Sequence, residues 1–160
     1  MKDIDTKYLL LQFWLKVHQK NAAEFQSFFE EIMQKAYPSF QKIRPYGKKG
    51  DGGNDGYRPD KGIYYQVYSP RNPNEKEAEA AKKFKIDFEK LKKNWDQIAK
   101  IKEVNFVFND KGFGISSELA KAASELKEHN KNIEFIIFTS RHLEQVFLTL
   151  NSDQDEENLL

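Results

Sequence analysis

Between residues 47 and 70 the chain reads GKKGDGGNDGYRPDKGIYYQVYSP, and this stretch places acids, an amide and a phenol at spacings that can converge. Asp55 lies where a glycine-rich turn enters a strand. Gln66 and Tyr68 lie two residues apart on the strand that follows, so their side chains leave the same face. If the two strands form a hairpin, Asp55 and Gln66 meet. Clustered hard oxygen donors suit Mg²⁺, and metal-assisted phosphodiester hydrolysis needs such a cluster with a group that orients or deprotonates water.

Those residues need a frame. Residues 6–19 carry Leu9, Leu11, Trp14, Leu15 and Val17 in a helical pattern, with Asp5 or Thr6 as cap. Asn21 opens a capping-box-like N-A-A-E, and Phe25, Phe28, Phe29, Ile32, Met33 and Ala36 follow at near-helical spacing until Pro38 ends the run. Residues 40–46 predict a short strand interrupted by Pro45. Residues 55–58 and 63–68 predict two strands around a turn at Pro59 to Gly62. Residues 75–100 predict a long charged helix with Ala78, Ala81, Phe84, Phe88, Leu91, Trp95 and Ile98 on one stripe. Then come a buried-type strand at 103–108, a helix at 116–128 capped by Ser116, a strand at 133–138 and a helix at 140–149. The order implies an α/β fold, a mixed central sheet sandwiched by helices, with the last two strands parallel.

A chain of 160 residues is the size of one domain, read here as 1–150, with 151–160 an acidic tail or the start of a linker. The absence of cysteine excludes disulfides, thiolate metal sites and a cysteine nucleophile, and fits a reducing cytoplasm. The apolar run near the amino terminus is broken by Gln12 and Lys16 and reads as neither signal peptide nor membrane span. A net charge of +1 supplies no global field, so attraction to nucleic acid falls to local clusters. Lys48 and Lys49 before the glycines, with Arg71 after the third strand, are the candidate contacts. The lysines of residues 82–93 alternate with Asp87 and Glu89 and read more simply as the wet face of a helix.

The run GDGGNDG followed by the strand Gly62 to Tyr68 resembles the Mrr-like branch of the restriction-endonuclease-like nucleases, whose pattern is roughly G-D-x-G-x-D-G, a turn, then Q-x-K or E-x-K. The motif covers residues 25–68, and the remainder agrees in element order. The resemblance implies a restriction-endonuclease-like core and a Mg²⁺- or Mn²⁺-dependent endonuclease acting on DNA in restriction or anti-phage defence. It makes Asp55, Gln66 and the helix acid Glu30 the metal ligands. It implies nucleic acid as partner, a homodimer, and a larger defence complex or fused partner domain. One position departs: Tyr68 stands where the family has its catalytic lysine, and a phenol carries no positive charge at neutral pH. Two readings stay open. A lysine from elsewhere serves, with Lys83 or Lys85 on the long helix and Lys48 or Lys49 on the loop as candidates. Alternatively, the chain is a catalytically inactive module for nucleic-acid binding or protein assembly.

Plainer readings stand beside these. Glycines commonly mark a simple turn, and Glu30 on the flank of an apolar helix can be a solvated surface acid. A phosphate-cradling P-loop needs Gly-Lys-Ser/Thr leading into a helix, which is missing. An EF-hand loop starting at Asp51 would place Gly62 where a bidentate glutamate belongs. His18, His129 and His142 have no metal spacing, and Trp14 and Trp95 fall on apolar stripes.

Overall fold

The computed structural model describes residues 2–150 and 159–160, so the acidic tail expected from 151 falls mostly outside the described residues. Two helices, α1 (Lys2–Gln19) and α2 (Ala22–Ala36), precede strands β1 (Gln41–Lys42), β2 (Gly56–Arg58) and β3 (Ile63–Tyr68). Then follow α3 (Glu77–Trp95), β4 (Glu103–Phe108), α4 (Ser117–His129), β5 (Glu134–Phe138) and α5 (Ser140–Leu148). The fold is α/β, with a five-stranded mixed sheet in the order β1-β2-β3-β4-β5. Strands β1 to β3 pair antiparallel, while β3, β4 and β5 run parallel and are joined through α3 and α4.

Side-chain alternation on β3 divides the core. Tyr65 joins Phe40, Val107 and Phe138 under α1, α2 and α5. Tyr64 and Tyr68 face the other way, where Phe84, Phe88 and Leu91 of α3 and Leu119 and Ala122 of α4 meet Phe106 and Phe108. Strand β4 is covered on both faces, which explains its nearly unbroken apolar sequence. The Phe84 and Phe106 rings stack at 4.7 Å. Burying one such ring contributes about 1.5–3 kcal/mol, enough to hold α3 against the sheet at this point.

Four sequence expectations need correction. Helix α1 buries Leu9, Phe13 and Val17, four residues apart, and leaves Leu11 and Leu15 71% and 54% exposed. Its apolar residues surround the helix too fully for spacing alone to select the inward face. The strand expected over 40–46 shrinks to Gln41–Lys42, because Ile43 N–H reaches the Asp55 carbonyl and Tyr46 N–H turns to Gly50. Helix α3 stops at Trp95, where Asp96 accepts from Ile101 N–H at 3.0 Å, and Ile98 is left exposed. The Asn21 capping box does not form: the Asn21 side chain makes no cap bond and accepts from Lys111 Nζ at 2.8 Å. A reciprocal box closes α5 instead, between Thr139 and His142, which gives one histidine a structural task.

The carboxyl ends of the parallel strands are tied by Asn109, fully buried after β4. Its amide donates to the carbonyls of Val17 and Lys20 and to Ser69 Oγ, and its oxygen accepts from Ser140 Oγ and Lys111 N–H. No helix among the described residues is long and apolar enough to cross a membrane.

Candidate functional site

The glycine-rich loop is pressed against α3. Gly53 has φ +82°, and a Cβ there would stand 2.6 Å from the Asp87 carbonyl oxygen and 3.0 Å from Leu91 N. Gly52, at φ +65°, would bring a Cβ 2.9 Å from Trp95 Nε1, and that indole N–H donates to the Asp51 carbonyl at 2.9 Å. Only glycine allows this approach and these dihedrals together. Contact with α3 brings the loop acids beside Lys83 and Asp87.

Asp55 leads into β2. Its N–H donates to the Tyr65 carbonyl at 3.1 Å, and its Oδ2 accepts from Val67 N–H at 2.7 Å. Its other interaction is a hydrogen bond with the Asp51 carboxyl, whose Oδ1 also accepts from Gly53 N–H at 2.9 Å. Burial and the hydrogen bond to Asp51 push the Asp55 carboxyl up to about 8, with Val67 N–H and the Lys83 charge pulling the other way. Metal-free, Asp55 therefore keeps its proton at neutral pH.

Gln66 is buried beside the loop. Its Nε2 donates to the Gly53 carbonyl at 2.8 Å, while its Oε1 has no partner. A buried acceptor without a donor is rare and costs stability. Tyr68 packs near Phe106 and Phe108, and its hydroxyl donates to Glu79 at 3.4 Å. Burial first, and the nearby Glu79 carboxylate second, raise its pKa, so it remains a neutral phenol at physiological pH.

The cation at this place is Lys83. Its ammonium lies 2.9 Å from Asp87 Oδ2 and 5.8 Å from the Tyr68 ring centre. Burial pulls its pKa down, but Asp87, Asp55 and Tyr68 together outweigh that and hold it above the usual lysine range. Lys49, Lys83, Lys90, Asp51, Asp55 and Asp87 line a cavity of about 320 Å³, completed by Gln26, Gly53 and Val67.

The other sequence candidates separate cleanly. Lys85 is ion-paired with Glu125 of α4, away from Asp55, so of the two helix lysines only Lys83 reaches the site. Lys49 lines the cavity and Lys48 does not. Arg71 lines an adjoining cavity beside Tyr68. Glu30 does not reach the acid pair: it is half-buried near Lys42, its carboxyl raised by burial against the pull of that lysine. Gln26, one turn earlier on α2, lines the cavity instead. Among the described residues no three acidic, histidine or cysteine side chains gather in a metal-binding group. Spacing singled out neither Asp51 nor Asp87 for the site. The first lies within the G-D-x-G run, and the second is four residues after Lys83, so both carried a local signal.

No family model matches the chain, and no curated protein and no solved structure matches it.

Proposed function

We propose that the protein is a Mg²⁺- or Mn²⁺-dependent nuclease with a restriction-endonuclease-like core, hydrolysing phosphodiesters of DNA in a restriction or anti-phage setting. The observation that carries this reading is the cavity in which Asp51, Asp55 and Lys83 converge, with Gln66 behind its wall holding the Gly53 carbonyl. The donors are hard oxygens, as Mg²⁺ requires, and Mg²⁺ is commonly held by one or two carboxylates while keeping several waters. Asp55, after giving up its proton, and Asp51 would hold the ion, and Gln66 supports the loop that carries them through its bond to the Gly53 carbonyl. When bound, the ion lowers the pKa of water and offsets charge on the phosphate.

The chain's own residues do the rest. Val67 N–H orients the Asp55 carboxylate through the 2.7 Å bond to Oδ2. Lys83 takes the electrostatic role that Tyr68 cannot: its ammonium, kept protonated by Asp87, faces the anionic oxygens that develop as the phosphodiester is attacked. Tyr68 keeps a hydroxyl proton to donate to a phosphate oxygen. Lys49 and Lys90 at the cavity wall attract the backbone on either side.

The test is cleavage of single- and double-stranded DNA and RNA with Mg²⁺ or Mn²⁺ by wild type, Asp55→Asn and Lys83→Met. Wild type is expected to cut DNA and both variants to lose about 100-fold or more, the scale of removing one preorganised charge-stabilising group. Failure of the wild type on every substrate would sink the proposal. That outcome would favour the second reading, an inactive nucleic-acid-binding or assembly module. The second reading draws support from Tyr68, which stands where the family has its lysine.

A further inference from the structure

A second cavity, of about 600 Å³, adjoins the acid pair and shares Gln26 and Val67 with it. Its size falls within the roughly 300–1,000 Å³ of small-molecule sites, and its walls have the corresponding character, apolar with a few polar groups. Ala22, Ala23, Val67, Pro70 and part of Tyr68 supply the apolar surface, and Arg71 and Lys76 stand at its edge. Ser69, 5% exposed, spends its oxygen lone pair on Asn109, and its hydroxyl proton has no acceptor among the described residues. The Gln26 amide has no hydrogen-bond partner among the described residues, and it reaches both cavities.

The backbone around this cavity is held open at a cost. Ala22, at the first position of α2, has φ +47°, the left-handed region that a residue with a Cβ seldom adopts. Its N–H is held by the Ser69 carbonyl at 2.8 Å. Asn21, diverted to Lys111, leaves the first turn of α2 without its side-chain cap next to Arg71 and Lys76. Strain of this kind persists where surrounding structure enforces it, and it concentrates at ligand sites.

We propose that this second cavity is a nucleobase pocket, receiving the base next to the phosphate held at Asp55, so that the protein takes single-stranded or locally unstacked DNA. The inference rests on the nuclease reading for the role of Asp55 and adds the form of the substrate. A base enters against Val67, Pro70 and the Tyr68 ring, with the Gln26 amide and Ser69 hydroxyl offered to its polar edge. Its phosphate lies toward Arg71 and Lys76. A base paired within a duplex enters a pocket of this kind only by leaving the stack.

The measurement is fluorescence anisotropy of the full chain in EDTA with a labelled single-stranded 12-mer and with the same sequence as a duplex. Wild type and Ala23→Trp, which fills the cavity mouth from an exposed helix position, are compared. Wild type is expected to bind the single strand about 10-fold or more tighter than the duplex, and Ala23→Trp to lose about 10-fold on the single strand, the scale of one stacked base. A 2-aminopurine base in the strand should be quenched on binding wild type and less so on binding Tyr68→Leu, which reads the pocket without filling it. Equal affinity for duplex, an unaffected Ala23→Trp, or no binding at all would each overturn the pocket. Pocket-dependent binding without cleavage would retain the pocket and remove the nuclease. Cleavage that Ala23→Trp leaves unchanged would do the reverse.

Discussion

Replacing Asp55 by asparagine should stabilise the metal-free protein, and only above mildly acidic pH. The folded carboxyl is raised from 3.8 to about 8, chiefly by burial and by its hydrogen bond with Asp51. Below pH 3.8 both folded and unfolded chains hold the proton, so the group carries no penalty. Between 3.8 and about 8 the unfolded carboxyl is ionised while the folded one keeps its proton, and stability falls with each unit of pH. Above about 8 both are ionised and the loss levels off. At ~1.4 kcal/mol per unit the ceiling is about 6 kcal/mol. Asp55 is half-buried, and water reaching it through the cavity brings the expected value to about 2–3 kcal/mol. The introduced amide keeps the geometry, since its oxygen accepts from Val67 N–H and its nitrogen donates to Asp51. Urea unfolding in EDTA at pH 4.5, 6, 7.5 and 9 measures the difference between Asp55→Asn and wild type. It should be near zero at the lowest pH and grow to its full value by the highest. A variant less stable than wild type by the same amount at every pH would mean that Asp55 is an ionised, stabilising carboxylate and would refute its retained proton.

Three further outcomes follow from the same geometry. Lys83→Met should abolish cleavage while changing the unfolding free energy by no more than about 1 kcal/mol, because its ion pair with Asp87 is partly exposed to solvent; unfolding curves beside the cleavage assay check both halves. Gly53→Ala should cost about 2–4 kcal/mol, from a positive φ together with the clash on the Asp87 carbonyl, and its loss should show in thermal melts whether or not metal is present. Asn109→Leu should cost about 2–4 kcal/mol by orphaning buried carbonyls, with hydrogen exchange rising first in α1.

Much of the frame was written locally. The spacing of Phe25, Phe28, Phe29, Ile32 and Met33 matches the buried face of α2, and the edges of β3 and β4 agree with the alternating and continuous apolar runs. Helix α1 was harder, since Leu9, Leu11, Phe13, Trp14 and Leu15 offer several apolar faces, and packing on Phe28 and Phe147 selects Phe13. The site divides in the same way. Asp55 and Gln66 were legible from the glycine motif and the period of a strand. Lys83 could not be separated from Lys85 by sequence alone, because residues two apart on a helix point about 200° from each other and only the rotation of α3 decides which meets the loop. That rotation depends on Gly52 and Gly53 fitting against Trp95, Asp87 and Leu91, contacts that span some three dozen residues of chain.

The Asn109 knot also sets an order of assembly. The carbonyls that end α1, at Val17 and Lys20, receive their donor from a residue 92 and 89 positions later. Until β4 has formed and carried Asn109 into place, α1 has its apolar face but no lock for its carboxyl end. Contacts of such separation cost loop entropy before they return any stabilisation, so they form late. Helix α1 should therefore be the last piece to settle in refolding, its protection following closure of the parallel strands, although it precedes them in the chain.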